Sequence, residues 1–160
     1  MMTKWVIGLA TLILCSCATT KAEDASKVSG QSDNAMTSVP KSGLGPQTLA
    51  AGDCGLFLWS KTNVDRFIFF AQANIGAAKF AQDSIALDLI QTASGGDIFG
   101  QFQTRLDYVD SGGQQYALTI TPGKEMDGGQ RIESGLFTIT STEGWQTKLP
   151  VLGVRACQPD

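Results

Sequence analysis

The chain predicts an all-β domain, a small antiparallel eight-stranded barrel or sandwich that follows a disordered tether. Three observations carry this expectation. Apolar and polar residues alternate with a period of two over several stretches, glycine-containing turn signals fall where those stretches end, and Cys54 and Cys157 bracket the apolar part of the mature chain. A period of two sends successive side chains to opposite faces, so that one face can be buried and the other wetted.

Taken in order, residues 54–60 and 66–73 are almost continuously apolar and contain Phe57, Trp59, Phe67, Phe69 and Phe70. They read as a central hairpin joined by the polar loop 61–65. Residues 74–93 are ambiguous, because Ile75, Ala78, Ala81 and Ile85 also fit a helical period. The alternation Ile85, Leu87, Leu89 against Ala86 and Asp88 favours strands. Phe102, Thr104, Leu106 and Tyr108 alternate with Gln101, Gln103, Arg105 and Asp107, and Tyr116, Leu118 and Ile120 alternate with Gln115, Ala117, Thr119 and Thr121. Residues 136–142 and 145–149 form a last hairpin about Glu143-Gly144. Gly95-Gly96-Asp97, Ser111-Gly112-Gly113 and Gly128-Gly129 are the other expected turns, since glycine accepts positive φ. Ser134-Gly135 and Pro150 interrupt the alternation and predict bulges or edge positions. About eight antiparallel strands with alternating faces most economically close into a barrel or stack as a sandwich.

Residues 17–51 have a different composition. They carry no aromatic residue, are rich in small and polar side chains, and include Pro40 and Pro46. Such a stretch buries too little apolar surface to offset the entropy of ordering it, so it reads as a flexible linker before a domain at 52–160. In front of it, Lys4 precedes an apolar run from Trp5 to Leu14, which is followed by Cys15-Ser16-Cys17. About ten apolar residues are too few to span roughly 30 Å of hydrocarbon. The order of charge, apolar run, small residue and cysteine resembles a bacterial lipoprotein signal peptide over residues 1–16. The resemblance implies cleavage before Cys17 and its acylation, with palmitate among the acyl chains. It therefore implies attachment to a membrane through lipid. Ala18, where an inner-membrane protein of that kind carries Asp, implies the outer membrane with the domain facing the periplasm.

Removing such a signal would take away Lys4 and leave eleven basic residues against fifteen acidic ones. A mildly acidic chain without a basic stripe repels a phosphate backbone, so nucleic acid is not an expected partner. With Cys15 removed and Cys17 acylated, Cys54 and Cys157 remain as an even pair in an oxidising compartment, and a disulfide between them is expected.

The chain has no histidine. Catalysis of the His-dependent triad kind is therefore excluded, and no enzymatic activity and no cofactor are expected. Asp97, Asp107, Asp110, Glu125, Asp127 and Glu133 are the carboxylates from which a glycosidase pair would have to come, yet they sit in turns and on polar strand faces where solvated charge is ordinary. Lys124-Glu125-Met126-Asp127-Gly128-Gly129 lacks the alternate oxygen ligands of a calcium loop and reads as a turn. No metal site is expected. The aromatic set Phe57, Trp59, Phe67, Phe69, Phe80, Phe99, Phe102, Tyr108, Tyr116, Phe137 and Trp145 reads as the core of a small β-domain. The alternative is a barrel mouth that holds an apolar ligand.

A lipidated cysteine, a linker and a small β-barrel clamped by terminal cysteines is similar to the membrane-bound lysozyme inhibitors of Gram-negative bacteria, which insert a Ser-Gly loop with a nearby Tyr into the enzyme. Ser111-Gly112-Gly113-Gln114-Gln115-Tyr116 resembles that loop with one residue more before the tyrosine. The expected function is thus an envelope lipoprotein whose β-domain is a non-enzymatic binding or structural module, meeting an envelope protein. The alternatives are lysozyme inhibition and carriage of an apolar ligand.

Overall fold

A computed structural model describes residues 43–63 and 66–160. Cys15, Cys17 and the signal and most of the linker lie outside the described residues. The strands are β1 (Cys54–Ser60), β2 (Phe67–Gln72), β3 (Ala77–Gln82), β4 (Ile85–Phe99), β5 (Phe102–Val109), β6 (Gln115–Met126), β7 (Gly129–Thr140) and β8 (Gln146–Cys157). Each pairs antiparallel with the next, and β1 pairs with β8, so the meander closes into an eight-stranded barrel. Of the two closures the sequence allowed, the barrel is the one formed. The ambiguous residues 74–93 are strands, β3 and the first part of β4.

The closing seam runs from Cys54↔Cys157 to Ser60↔Val151. The expected disulfide is present, with an S–S distance of 2.04 Å and Cα atoms 4.0 Å apart. The two cysteines are direct cross-strand partners at the end of the seam, so the bond locks the last pair of the barrel's closure. Pro150 interrupts nothing in β8. Its carbonyl accepts from Lys61 N (2.9 Å) just beyond the end of β1, where a missing N–H deprives no ladder partner. The irregularity expected near Ser134-Gly135 is a register shift between Ile132 and Gly135.

Alternation sorts the side chains as the period of two requires. Leu106, Tyr108, Tyr116, Leu118, Ile120, Phe137, Ile139, Leu149 and Val151 are buried inside the barrel. Five rings form its centre. Phe80 lies 4.9 Å from Phe137 and 5.5 Å from Tyr116, and Phe69 lies 5.2 Å from Phe137 and 5.5 Å from Tyr108, centroid to centroid. Eight strands leave an interior just wide enough for side chains to fill, and these rings fill it.

The aromatic residues do not form one core. In the β1–β2 register Leu58 pairs with Phe69 and Phe57 with Phe70, and the ladder shifts between Leu58 and Trp59. Phe57, Trp59, Phe67 and Phe70 therefore stand on the opposite face from Leu58 and Phe69. They make a second, external cluster, with Phe57 at 5.0 Å from Phe70 and Trp59 at 5.1 Å from Phe67. Of the stretch expected as linker, residues 43–51 lie along this outer face. Leu44 N donates to Phe67 O (2.6 Å), and a Cβ on Gly55 would meet Phe70, Phe57 and Leu49 at once. A strand apolar on both faces needs cover on both, and this segment supplies the outer one. Trp145, also expected in the core, is 75% exposed in the turn between β7 and β8.

The turns at Ser111-Gly112-Gly113 and Glu143-Gly144 fall where expected, the one expected at Gly128-Gly129 lies one residue earlier at Asp127-Gly128, and Gly144 takes φ 91° as a tight hairpin turn requires. Gly95-Gly96-Asp97 is not a turn. β4 continues through it to Phe99, with register shifts between Gln91 and Ala93 and between Gly95 and Ile98, and the chain reverses at Gly100-Gln101. Gly96 (φ 82°) supplies a bulge, and Asp97 N finds Thr104 Oγ1 at 2.9 Å in place of a ladder partner.

Candidate functional site

The site builds up at the barrel end that holds the disulfide, the β2–β3 turn and the β4–β5 turn. Pairing of β4 with β3 stops at Ala77↔Ile90, and Gln91 N then donates to Gly76 O (2.8 Å). Beyond that point β4 keeps only β5 as a neighbour, and its two bulges bend the β4–β5 hairpin. Phe99 and Phe102 flank the turn and are buried, so the hairpin tip plugs the barrel end.

Arg155 secures the plug. Its register partner is Leu56, so it shares the inner face of β8 with Val151 and Gly153. Its guanidinium lies 5.6 Å from the Phe99 ring centroid, and Nη1 donates to Gln101 Oε1 and Cys157 Sγ, both at 3.4 Å. Gly100 takes φ 60°, a backbone conformation that other residues rarely adopt, and a Cβ there would come within 2.8 Å of that guanidinium. Arg155 Nε is buried without a hydrogen-bond partner among the described residues.

Between the plug and the β2–β3 turn lies an open groove of about 720 Å³. Its walls include Gln72, Ala73 and Asn74 on one side and Gln91, Thr92, Ser94 and Ile98 of β4 on the other, with Phe102 and Gln103 closing it. None of the described residues that line it carries a charge. Gln72 Nε2 is committed to Asp53 Oδ2 (2.7 Å), and Gln101, which also lines the groove, accepts from Arg155. Asn74, Gln91 and Gln103 make no side-chain hydrogen bond among the described residues. Ile98 is 83% exposed beside them.

A different arrangement occupies the opposite end of the barrel, at the β5–β6 turn. Asp110 Oδ1 accepts from Gly112 N (2.8 Å) and Gln114 N (3.0 Å), while Oδ2 accepts from Tyr116 Oη (2.9 Å). Burial, then the hydrogen bond and the charge of Asp110, push the Tyr116 hydroxyl above the usual tyrosine range; burial alone does the same to Tyr108. Both phenols are held neutral. Ser111 and Gly112 are exposed at the tip of this braced turn, whereas Tyr116 is a core residue that holds the turn from beneath.

The carboxylates singled out in the sequence are dispersed. Asp97 lies in the β4 bulge, Asp107 on β5, Asp110 in the β5–β6 turn, Glu125 on β6, Asp127 in the β6–β7 turn and Glu133 on β7. Among the described residues no group of three or more His, Cys, Asp and Glu is placed to hold a metal ion. Of the groove amides, Gln101 and Gln103 read in the sequence as the polar face of a strand, and Asn74 and Gln91 carry no local signal. The available signal was their density, as in Gln101-Phe102-Gln103, but it lies in three separate segments. No protein-family model, curated protein or solved structure matches this chain.

Proposed function

We propose that this protein is a lipoprotein of the bacterial cell envelope, anchored in the outer membrane through Cys17, whose barrel is a non-enzymatic binding module facing the periplasm. The observation that carries the reading is the groove: a cleft of about 720 Å³ whose described lining offers neutral hydrogen-bonding side chains and apolar surface, and no carboxylate, amine, thiol or imidazole to act as a general acid or base or to activate the hydroxyls of Thr92 and Ser94. The filled interior, with five aromatic rings in mutual contact, favours recognition on this outer surface over carriage of an apolar ligand inside. The anchor is tested by labelling cells with a palmitate analogue. The wild-type chain takes the label and fractionates with membranes, Cys17→Ala loses both, and an unchanged Cys17→Ala chain overturns the reading.

A second reading rests on the Asp110 turn. A tip braced by three hydrogen bonds and carrying exposed Ser111 has the rigidity needed to enter an enzyme cleft at small entropic cost. In that reading Tyr116 positions Asp110 and does not touch the enzyme. Lysozyme activity measured with the full chain and with Ser111→Arg decides it, since inhibition must be present in the first and lost in the second.

A further inference from the structure

The groove's chemistry identifies a class of ligand. Gln91 and Gln103 are half-buried and Asn74 stands at the rim, each with an amide that has no partner among the described residues. A primary amide offers two donors and an acceptor in one plane, a set that matches adjacent hydroxyls or an acetamido group. Ile98, 83% exposed, pairs with Gln103 and offers apolar surface for the C–H face of a ring. A bound phosphate or carboxylate would find no countercharge among the described lining residues, and a bound cation would find no carboxylate.

An extended peptide is the competing occupant, because β4 beyond Ile90 presents one edge that β3 does not cover. Adding a strand needs an unbroken run of evenly spaced backbone groups. β4 breaks its register twice in this stretch, and Gly96 lies at positive φ. Bulges of this kind are how sheets blunt an edge. Recognition in the groove therefore falls to side chains.

We propose that the groove binds an uncharged oligosaccharide built of neutral hexose or N-acetylhexosamine units. The proposal rests on the binding-module reading above and specifies its ligand. Its volume lies within the range of small-ligand clefts, about 300–1,000 Å³.

The test uses the full chain in detergent micelles with two probes, a neutral hexose tetrasaccharide and a tetramer of N-acetylglucosamine, followed through the methyl resonances of isoleucine. At least one probe is expected to bind saturably and to shift Ile98 while Ile85, at the start of β4 at the other end of the barrel, stays still. Gln91→Ala with Gln103→Ala should weaken that binding by about tenfold or more, the loss of two amide contacts, with an unchanged melting temperature. Cys17→Ala should bind as the wild type does, which separates failure of the anchor from failure of the groove. The proposal is overturned if neither tetrasaccharide binds at millimolar concentration. It is equally overturned if the double variant binds undiminished, or if an alanine hexapeptide binds the same site more tightly than both sugars.

Discussion

Loss of the Cys54–Cys157 bond should weaken the domain through its unfolded state while leaving its shape intact. The bond joins residues 103 apart in sequence. In the chain-entropy account, closing a loop of that length removes about 4.7 kcal/mol of freedom from the unfolded ensemble at 25 °C. Unfolding entropy runs at about 2.1 cal/mol/K per residue, so for a domain of roughly 110 residues each kcal/mol moves the midpoint by about 4 °C. Cys54→Ser, Cys157→Ser and the double variant should therefore each melt on the order of 20 °C below the wild type. The seam keeps its ladder from Gly55↔Ala156 to Ser60↔Val151, so far- and near-ultraviolet circular dichroism below the transition should be retained. All three variants remove the same cross-link, and their stabilities should agree to within roughly 0.5 kcal/mol, or about 2 °C in midpoint. Thermal denaturation of the full chain in micelles measures this. Single variants that melt with the wild type, or a double variant well below both singles, would refute the assignment of the bond's effect to one shared constraint.

Two further outcomes follow from the buried polar groups. Tyr108 and Tyr116 are the chain's two tyrosines, and both have hydroxyls raised above the ordinary 10.0. Below that value folded and unfolded chains hold the same protons; above it the unfolded chain loses them first, so stability falls as pH rises past about 10. Phenolate absorbance should therefore appear together with the loss of tertiary circular dichroism, and a phenolate signal near pH 10 from a fully native barrel would contradict the burial. Asp110→Ala removes the acceptor of two turn amides and of the buried Tyr116 hydroxyl, and should cost about 1–3 kcal/mol in urea denaturation. Asp110→Asn keeps most of that geometry and should lie between the two, and an Asp110→Ala variant as stable as the wild type would count against the bracing role.

The strands 102–108 and 115–120 were legible in the sequence because alternation is a local property: Phe102, Leu106, Tyr108, Tyr116, Leu118 and Ile120 face inward wherever the sheet goes. The disulfide was legible by a different route, since the resemblance to a lipoprotein signal sets Cys15 and Cys17 aside and leaves Cys54 and Cys157 as the remaining pair. Gly95-Gly96 was misread because glycine marks turns and bulges alike, and only the partner strand decides which; here Thr104 and Arg105 run alongside and hold the chain extended. Phe57 and Phe67 were placed in the core because periodicity assigns faces without saying what lies over them, and the cover of Leu44 and Leu49 came from a stretch whose composition speaks only of solvent.

Composition and local order by themselves determined the all-β class and the turn positions at Gly113, Gly128 and Gly144, because backbone preference and side-chain alternation act over a few residues. They also supplied the grounds for expecting an anchor at Cys17. Closure of β1 on β8, the division of the aromatics between interior and outer face, and the groove were decided only by the tertiary structure. Each depends on residues brought together from distant segments, as when Asn74, Gln91 and Gln103 come to line one groove because pairing with β3 ends at Ile90 and β4 bends away. Long-range register is a balance of packing over the whole barrel, and no window of the sequence contains it.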